Sequence, residues 1–399
     1  MAGKSKITWD PYSPGYFDDP YPHLKECREQ NPVHEIINNS WIFLKYDDVN
    51  EILSSRDYSV SELSNFLKEK EPIIFKNSSE CPYLSKGTKM WTLYLNDEAH
   101  KVSRAIMGKS LNLANLDRVL DESVEAVNRQ FQGQKHIDIV NYCSEFIFKV
   151  VKEILGIHSI EDIQKIKSYS NMLARSQDLY VPRQIYLEIN KWLLWGKDIF
   201  SDSDFRDKLV RYSADSGLDY SEEDIYSITS LTLMAAFETS KDNLSLGLFE
   251  ILRKPELVDH VLSCKPEELD LLIEELFRFS SPLQYTIRIN KTAVEFLGKR
   301  IPARSKLYLS LASANRDETV FGNPDEIVPG RTPNDHLSFG KGIHFCLGSA
   351  IARKELRHCL KPMVAFLRNF QLDESRPVKW SRQIFMRTVE SIQIESKHL

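Results

Sequence analysis

Apolar positions follow different rhythms in different parts of the chain. Trp41-Ile42-Phe43-Leu44 is a short apolar run of β-formers and predicts a strand. Residues 61–93 mix lysines, serines and aromatics with no clear period, which predicts a long loop with short helical pieces. From about residue 97 to residue 279 the spacing is mainly helical. Residues 294–311 return to strands, with Gly298 as a turn and Pro302 at an edge. A last helix is predicted from Ala350 to about Leu367. No internal repeat or low-complexity linker interrupts this order. The fold class is therefore mainly α with small β-sheets, and residues 1–399 read as one domain.

Two helices stand out. One starts at Ser221, which can cap with Asp224 three residues on, and runs to about Arg253, ahead of Pro255. At roughly 1.5 Å per residue it spans about 50 Å. Its centre, residues 231–237, is apolar nearly all round, so it is expected to cross the interior. The other opens with Pro266 in its first turn and ends near Pro282. It carries Glu275 and Arg278 at i, i+3, on one face.

Composition narrows the function classes. The formal net charge of −5 does not favour nucleic acid as a partner for the whole molecule. The first eleven residues are polar and lack an apolar core of signal-peptide length. No uncharged apolar run reaches the roughly 18 residues of a membrane span. A cytoplasmic protein without a membrane anchor is expected. The six cysteines, Cys27, Cys81, Cys143, Cys264, Cys346 and Cys359, are scattered, with no Cys-x-x-Cys pair. Structural zinc, iron–sulfur clusters and a disulfide framework are all disfavoured. A cysteine with a chemical role here acts alone.

Phe339-Gly340-Lys341-Gly342-Ile343-His344-Phe345-Cys346-Leu347-Gly348 is the strongest local signal. A cysteine just ahead of a helix meets unpaired N–H groups and the positive end of the helix dipole, and both favour the thiolate. The glycines let backbone pass close to a flat partner and aim N–H groups at sulfur. Such a thiolate suits a single axial bond to haem iron. The same residues also describe a Gly-rich turn around a buried, inert cysteine, and the loop alone does not separate the two.

The run resembles the haem-binding loop of the cytochrome P-450 family, Phe-x-x-Gly-x-x-x-Cys-x-Gly, through Phe339, Gly342, Cys346 and Gly348. Glu275-Leu276-Phe277-Arg278 is similar to that family's Glu-x-x-Arg helix, and Arg331 falls where its third ion-network member lies. His100-Lys101-Val102-Ser103-Arg104 resembles its His-x-x-x-Arg helix. Ala235-Ala236-Phe237-Glu238-Thr239-Ser240 resembles its oxygen-activating stretch, and Ala314-Asn315-Arg316-Asp317 another family segment. Each is weak alone. Together they occur in the family's order across about residues 19–387.

The resemblance implies the cytochrome P-450 fold, with the long central helix over haem b (iron protoporphyrin IX) and Cys346 as the iron ligand. Ala235, Phe339 and Gly348 join Cys346 among the implied haem-binding residues. His100, Arg104, Arg288 and His344 are the implied donors to the propionates, whose charge is costly in an apolar interior without partners. Glu275, Arg278 and Arg331 are implied to be structural. Glu238 and Thr239 are the implied catalytic pair, delivering protons during O2 activation. Two departures bear on this pair. The family usually has Gly where this chain has Ala236, and Phe237 is large for its place. The bland alternative has Thr239 bonding back to its own helix and Glu238 reaching an ion partner.

By the same resemblance, substrate contacts fall in residues 61–93, 169–200, the central helix, 283–287 and 384–386. Met234, Ala235, Leu283, Ile287, Ile384 and Phe385 form an apolar lining suited to a natural-product or lipid-like substrate. Trp192 and Trp195 suit either a lid or helix packing. No flavin or nucleotide fingerprint is present, so electrons are expected from a ferredoxin or flavodoxin-type donor with its reductase. Lys101, Lys109, Lys341, Arg353, Lys354 and Arg357 are candidates for its docking face, with a solvated surface as the alternative. An O2-dependent monooxygenase is the reading favoured over a peroxide-driven haem enzyme, which tends to lack the acid–alcohol pair. A haem sensor is disfavoured because no signalling domain is visible.

Overall fold

The computed structural model describes residues 7–60, 82–159 and 162–397. The chain divides into two compact units. The first comprises the described parts of Met1–Val60 with Lys265–Cys346 and Trp380–Thr388. The second comprises the described parts of Ser61–Cys264 with Leu347–Lys379 and Val389–Leu399.

The first unit is built on a five-stranded mixed sheet. Strand Ser40–Phe43, expected from its apolar run, pairs antiparallel with Val33–Ile37 and parallel with Lys306–Ser310. Tyr285–Asn290 lies antiparallel on the other side of Lys306–Ser310, and Tyr58–Ser59 closes the edge. The expected turn at Gly298 joins Val294–Phe296 to Lys299–Ile301 as a separate two-stranded ribbon. Leu307 and Leu309, two apart on one strand, bury the same face against Phe43, Val49 and Ile52, the last two from helix Tyr46–Ser54.

A charged cluster organises the rest of this unit. Helix Pro266–Ser280 presents Glu275 and Arg278 from one face, as the spacing predicts, and both are fully buried. Arg278 donates to both Glu275 oxygens at 2.8 Å, and Arg331 Nε donates to Glu275 Oε2 at 2.9 Å. The remaining guanidinium donors reach main-chain carbonyls: Arg278 those of Asn315, Pro324 and Glu326, and Arg331 those of Gly322 and Asn323. Val328 N donates to Glu275 Oε1. Asn315 then carries the network onward, accepting from Leu337 N at 2.7 Å and donating to Ser338 Oγ at 2.9 Å. A segment with little regular structure, residues 315–338, is thereby tied to one helix by buried polar bonds.

The second unit is mostly helical, with one three-stranded sheet of His136–Asp138, Gln393–Ser396 and Phe370–Leu372. Its axis is helix Glu222–Leu252, 31 residues or about 46 Å long. The expected capping box is present: Ser221 N donates to Asp224 Oδ2 at 2.9 Å, and Asp224 N to Ser221 Oγ at 3.3 Å. From Ile225 to Ile251 every residue is buried except Thr232, Ala235, Ala236, Thr239 and Glu250. Thr232, Ala236 and Thr239 stand at helical spacing with Ala235 beside them, so the helix is open along one narrow stripe. Trp192 and Trp195 lie edge to face at 5.2 Å, and Tyr169 stacks at a tilt on Trp195 at 5.6 Å. A Cβ on Gly196 would sit 2.5 Å from the Tyr169 ring, so this aromatic run packs helix Ile163–Arg175 onto Arg183–Ile199.

Replacing Glu275 by Ala leaves two buried guanidiniums without their counter-charge. The expected loss is about 3–5 kcal/mol of unfolding free energy. Chemical denaturation measures it, and a loss under about 1 kcal/mol would show that the cluster is not what holds the segment.

Candidate active site

In the first unit, the polar network ends on the cysteine loop. Ser338 Oγ donates to Phe277 O at 2.7 Å, and Phe339 packs on Phe277 with ring centroids 4.7 Å apart. From there the chain folds back on itself, and Cys346 N donates to Phe339 O at 2.8 Å. The turn between them needs glycine at two places. Gly340 and Gly342 have φ of +66° and +68°, and a Cβ on Gly342 would lie 2.5 Å from Leu53 O. Gly348 has an ordinary φ of −83° and caps helix Ser349–Leu367 in the second unit. Among the described cysteines, Cys27, Cys143, Cys264 and Cys359 are buried and Cys346 alone is half-exposed. Burial pushes the Cys143 thiol up to about 12 and holds that of Cys359 well above the ordinary value, so both are inert. His344 is half-buried on the same turn, and Phe345 is exposed.

Arg288 sits on strand Tyr285–Asn290 of this unit, 6% exposed. Its Nη1 reaches only Thr286 Oγ1 at 3.4 Å and the carbonyl of Ile287 at 2.9 Å, and no carboxylate among the described residues pairs with it. Burial lowers its pKa to about 10. A guanidinium kept dry without a counter-charge is costly, which marks this as a place for an anion. Leu283 bridges to Met386, and Gln284 N donates to Phe385 O at 2.9 Å. The expected lining residues Leu283, Ile287, Ile384 and Phe385 therefore lie on two segments that pair; Ile384 is buried and the other three are half-buried.

In the second unit, His100 and Arg104 stand one turn apart on helix Asp97–Ser110, buried and half-buried. Met234 is buried on the central helix, and Ala235 is exposed on its open stripe. Thr239 shares that stripe, and its Oγ1 donates to Ala235 O at 2.5 Å. Glu238 turns the other way, 1% exposed, with Oε2 accepting from Lys241 Nζ at 2.7 Å. The two carry the contacts of the bland alternative; the Thr239 hydroxyl nevertheless keeps its two acceptor positions. The lysines of residues 61–81, and the other expected contacts there, lie outside the described residues. Lys86 and Lys89 pair with Glu223 and Asp224. Among the candidate docking cations, Lys354 pairs with Asp117 at 2.6 Å and Lys101 with Glu98 at 3.6 Å, so part of that positive charge is cancelled.

The structure adds groups the sequence reading passed over. Lys241 and Asp242 are buried beside Glu238, and a lysine three residues after an acid in an apolar helix is the signal that was available. Ser240 donates at 2.7 Å to Glu355, a buried acid on helix Ser349–Leu367, a pairing that no spacing in the sequence announces.

A family model described as Cytochrome P-450 matches residues 267–395, which hold the Glu275 cluster, Arg288 and the whole cysteine loop. The polyketide biosynthesis cytochrome P-450 PksS of Bacillus subtilis (strain 168) is 24% identical over 409 residues, covering 98% of each chain. The chain belongs to the cytochrome P-450 family. The epothilone C/D epoxidase of Sorangium cellulosum is 24% identical, covering 98% of this chain and 96% of its own. The fold agrees with the solved structure of CalO2 at a TM-score of 0.85, with 21% identity and 98% of each chain covered. As a cytochrome P-450 the chain is an oxidoreductase, a haem-thiolate monooxygenase with haem b as its cofactor. The residues present fit that group: one half-exposed cysteine on a turn held open by glycine, and a buried guanidinium lacking an anion. Among the described residues, no helix is long and apolar enough to cross a membrane.

Glu355 supplies a test of the buried polar seam in this cytochrome P-450. Burial raises its carboxyl to about 7, only partly offset by the Ser240 hydroxyl. A carboxyl with a folded pKa above its unfolded value of about 4.3 takes up a proton on folding, so its contribution fades as pH rises from about 4 through 7. Relative to the Glu355→Gln variant, the parent should lose up to about 3 kcal/mol across that window. Urea unfolding at a series of pH values reads this, and parallel profiles for the two proteins would contradict it.

Proposed function

We propose that in this monooxygenase Cys346 would hold the iron of haem b through its thiolate sulfur. Arg288, Arg104, His344 and His100 would receive its propionates, and Ala235, Phe339 and Gly348 would line it. Residues 1–399 act as one cytochrome P-450 domain in the cytoplasm. The substrate is a small natural-product or lipid-like molecule. Its support is the names of the PksS and epothilone relatives and the apolar character of Met234, Leu283, Ile287, Ile384 and Phe385. Electrons come from a ferredoxin or flavodoxin-type protein and its reductase.

When bound, haem iron held by a thiolate would supply the activation of O2. The protein's own residues supply protons and exclude water. Thr239 Oγ1 lies on the one open stripe of the central helix, the observation that carries this reading. With its hydrogen engaged by Ala235 O, the oxygen can accept from a water and, by rotating, donate outward. Glu238 lies one residue earlier and relays protons from outside. The Ala236 methyl narrows the stripe without removing either group. Glu275, Arg278 and Arg331 take no part in the chemistry; they fix the loop that carries Cys346.

The test is Thr239→Ala. Haem content and substrate binding should stay at the parent level while protons go astray. Product per reducing equivalent should collapse and hydrogen peroxide should rise, since a positioned proton donor contributes roughly 10²–10⁴ in rate. Product, electrons consumed and peroxide are measured in parallel. If Thr239→Ala couples electrons to product as well as the parent does, the hydroxyl is only a helix contact.

A further inference from the structure

Glu238 is not held as a free acid. Lys241, one turn on, is buried and sits between two carboxylates: its Nζ lies 2.7 Å from Glu238 Oε2 and 3.3 Å from Asp242 Oδ1. Glu238 Oε1 is also buried and has no hydrogen-bond partner among the described residues. A second cation, Lys167, approaches from helix Ile163–Arg175, half-buried and donating to Asn141 Oδ1 at 3.2 Å. Asp138 and Glu145, from the start and the body of helix Ile139–Leu155, act on Lys167 in turn. Lys167, Asn141 and Glu145 are the half-exposed members of this group, while Glu238, Lys241 and Asp242 are its dry end.

We propose that Lys241 is a positioning residue: it clamps one oxygen of Glu238 in a buried ion pair, so that Oε1 alone takes up and passes on protons. The proposal rests on the proton-delivery reading of Glu238 given above. A buried carboxylate is costly without a cation beside it, and Lys241 Nζ supplies one at 2.7 Å. Burial by itself would weaken the Lys241 ammonium, but Asp242 and Glu238 outweigh it and hold its pKa above the ordinary value. Lys167 goes the other way, lowered by burial and then by the charge of Lys241. Of the two, Lys241 is the cation whose charge its neighbours reinforce, and it is the one bonded to Glu238.

The variants are Lys241→Met, Glu238→Gln and the double change, each prepared as the haem-loaded protein. Infrared difference spectra are recorded through a pH titration. Lys241→Met should show a new protonated-carboxyl band at neutral pH, and the double variant should lack it. Its product per reducing equivalent should rise with pH along an acid limb displaced upward by about one to three pH units from the parent's. Lys241→Arg should restore the parent's position. If Lys241→Met fails to fold while the double variant folds, the clamp is supported equally, because removing both charges relieves what removing one leaves behind. The absence of any new band, or a band that persists in the double variant, would overturn the proposal. A band that behaves as expected while Glu238→Gln couples like the parent would instead sink the proton-delivery reading and leave the clamp in place.

Discussion

A single buried carboxylate, that of Glu275, sets the geometry on which the cysteine unit depends. Two guanidiniums converge on it, and their outward donors hold five main-chain carbonyls. Charges this dry are costly apart and tolerable only together. The segment they hold has almost no regular structure, so its backbone cannot satisfy itself. The ion cluster supplies what a ladder of sheet or helix bonds supplies elsewhere. Cys346 is reached from it in short steps, through Asn315, Ser338, Phe277 and Phe339.

The second unit solves a different problem with the opposite material. A helix of 31 residues, closed on nearly every side, leaves one stripe of small and hydroxylic side chains uncovered. Alanines keep that stripe low, and Thr239 is its polar member beside Thr232. The acid that follows from the family pattern does not share the stripe. It turns into the bundle, where Lys241 and Asp242 lie beside it and Ser240 bonds Glu355, among the other buried polar groups of this helix. Glu238 Oε2 and the Ser240 hydroxyl are paired there, whereas Glu238 Oε1 has no hydrogen-bond partner among the described residues.

Much of this was legible in order along the chain. The capping residues of the central helix, the strand at Trp41, the turn at Gly298 and the i, i+3 pair of Glu275 and Arg278 are local features, and local spacing announces them. The cysteine loop was legible because its glycines are required by backbone geometry at Gly340 and Gly342. What escaped were contacts between elements far apart in sequence. Ser240 meets Glu355 across 115 positions, and Asn315 organises Leu337 and Ser338 without belonging to any helix or strand of its own. Lys241 was in plain view three residues after Glu238, but it lies just outside the matched stretch, which ends at Ser240. The docking cations were legible as charges, and their acidic partners on other helices were not.

The assignment of Cys346 as the thiolate underlies the whole account, because the glycine turn, the phenylalanine anchor and the Glu275 cluster all converge on that one residue. The most direct test is the reduced, carbon monoxide-bound difference spectrum of the parent and of Cys346→Ser, each with haem content measured separately. The parent should show the long-wavelength thiolate band and Cys346→Ser should lose it, whether or not the variant still retains haem. An unchanged thiolate band in Cys346→Ser would show that another residue holds the iron.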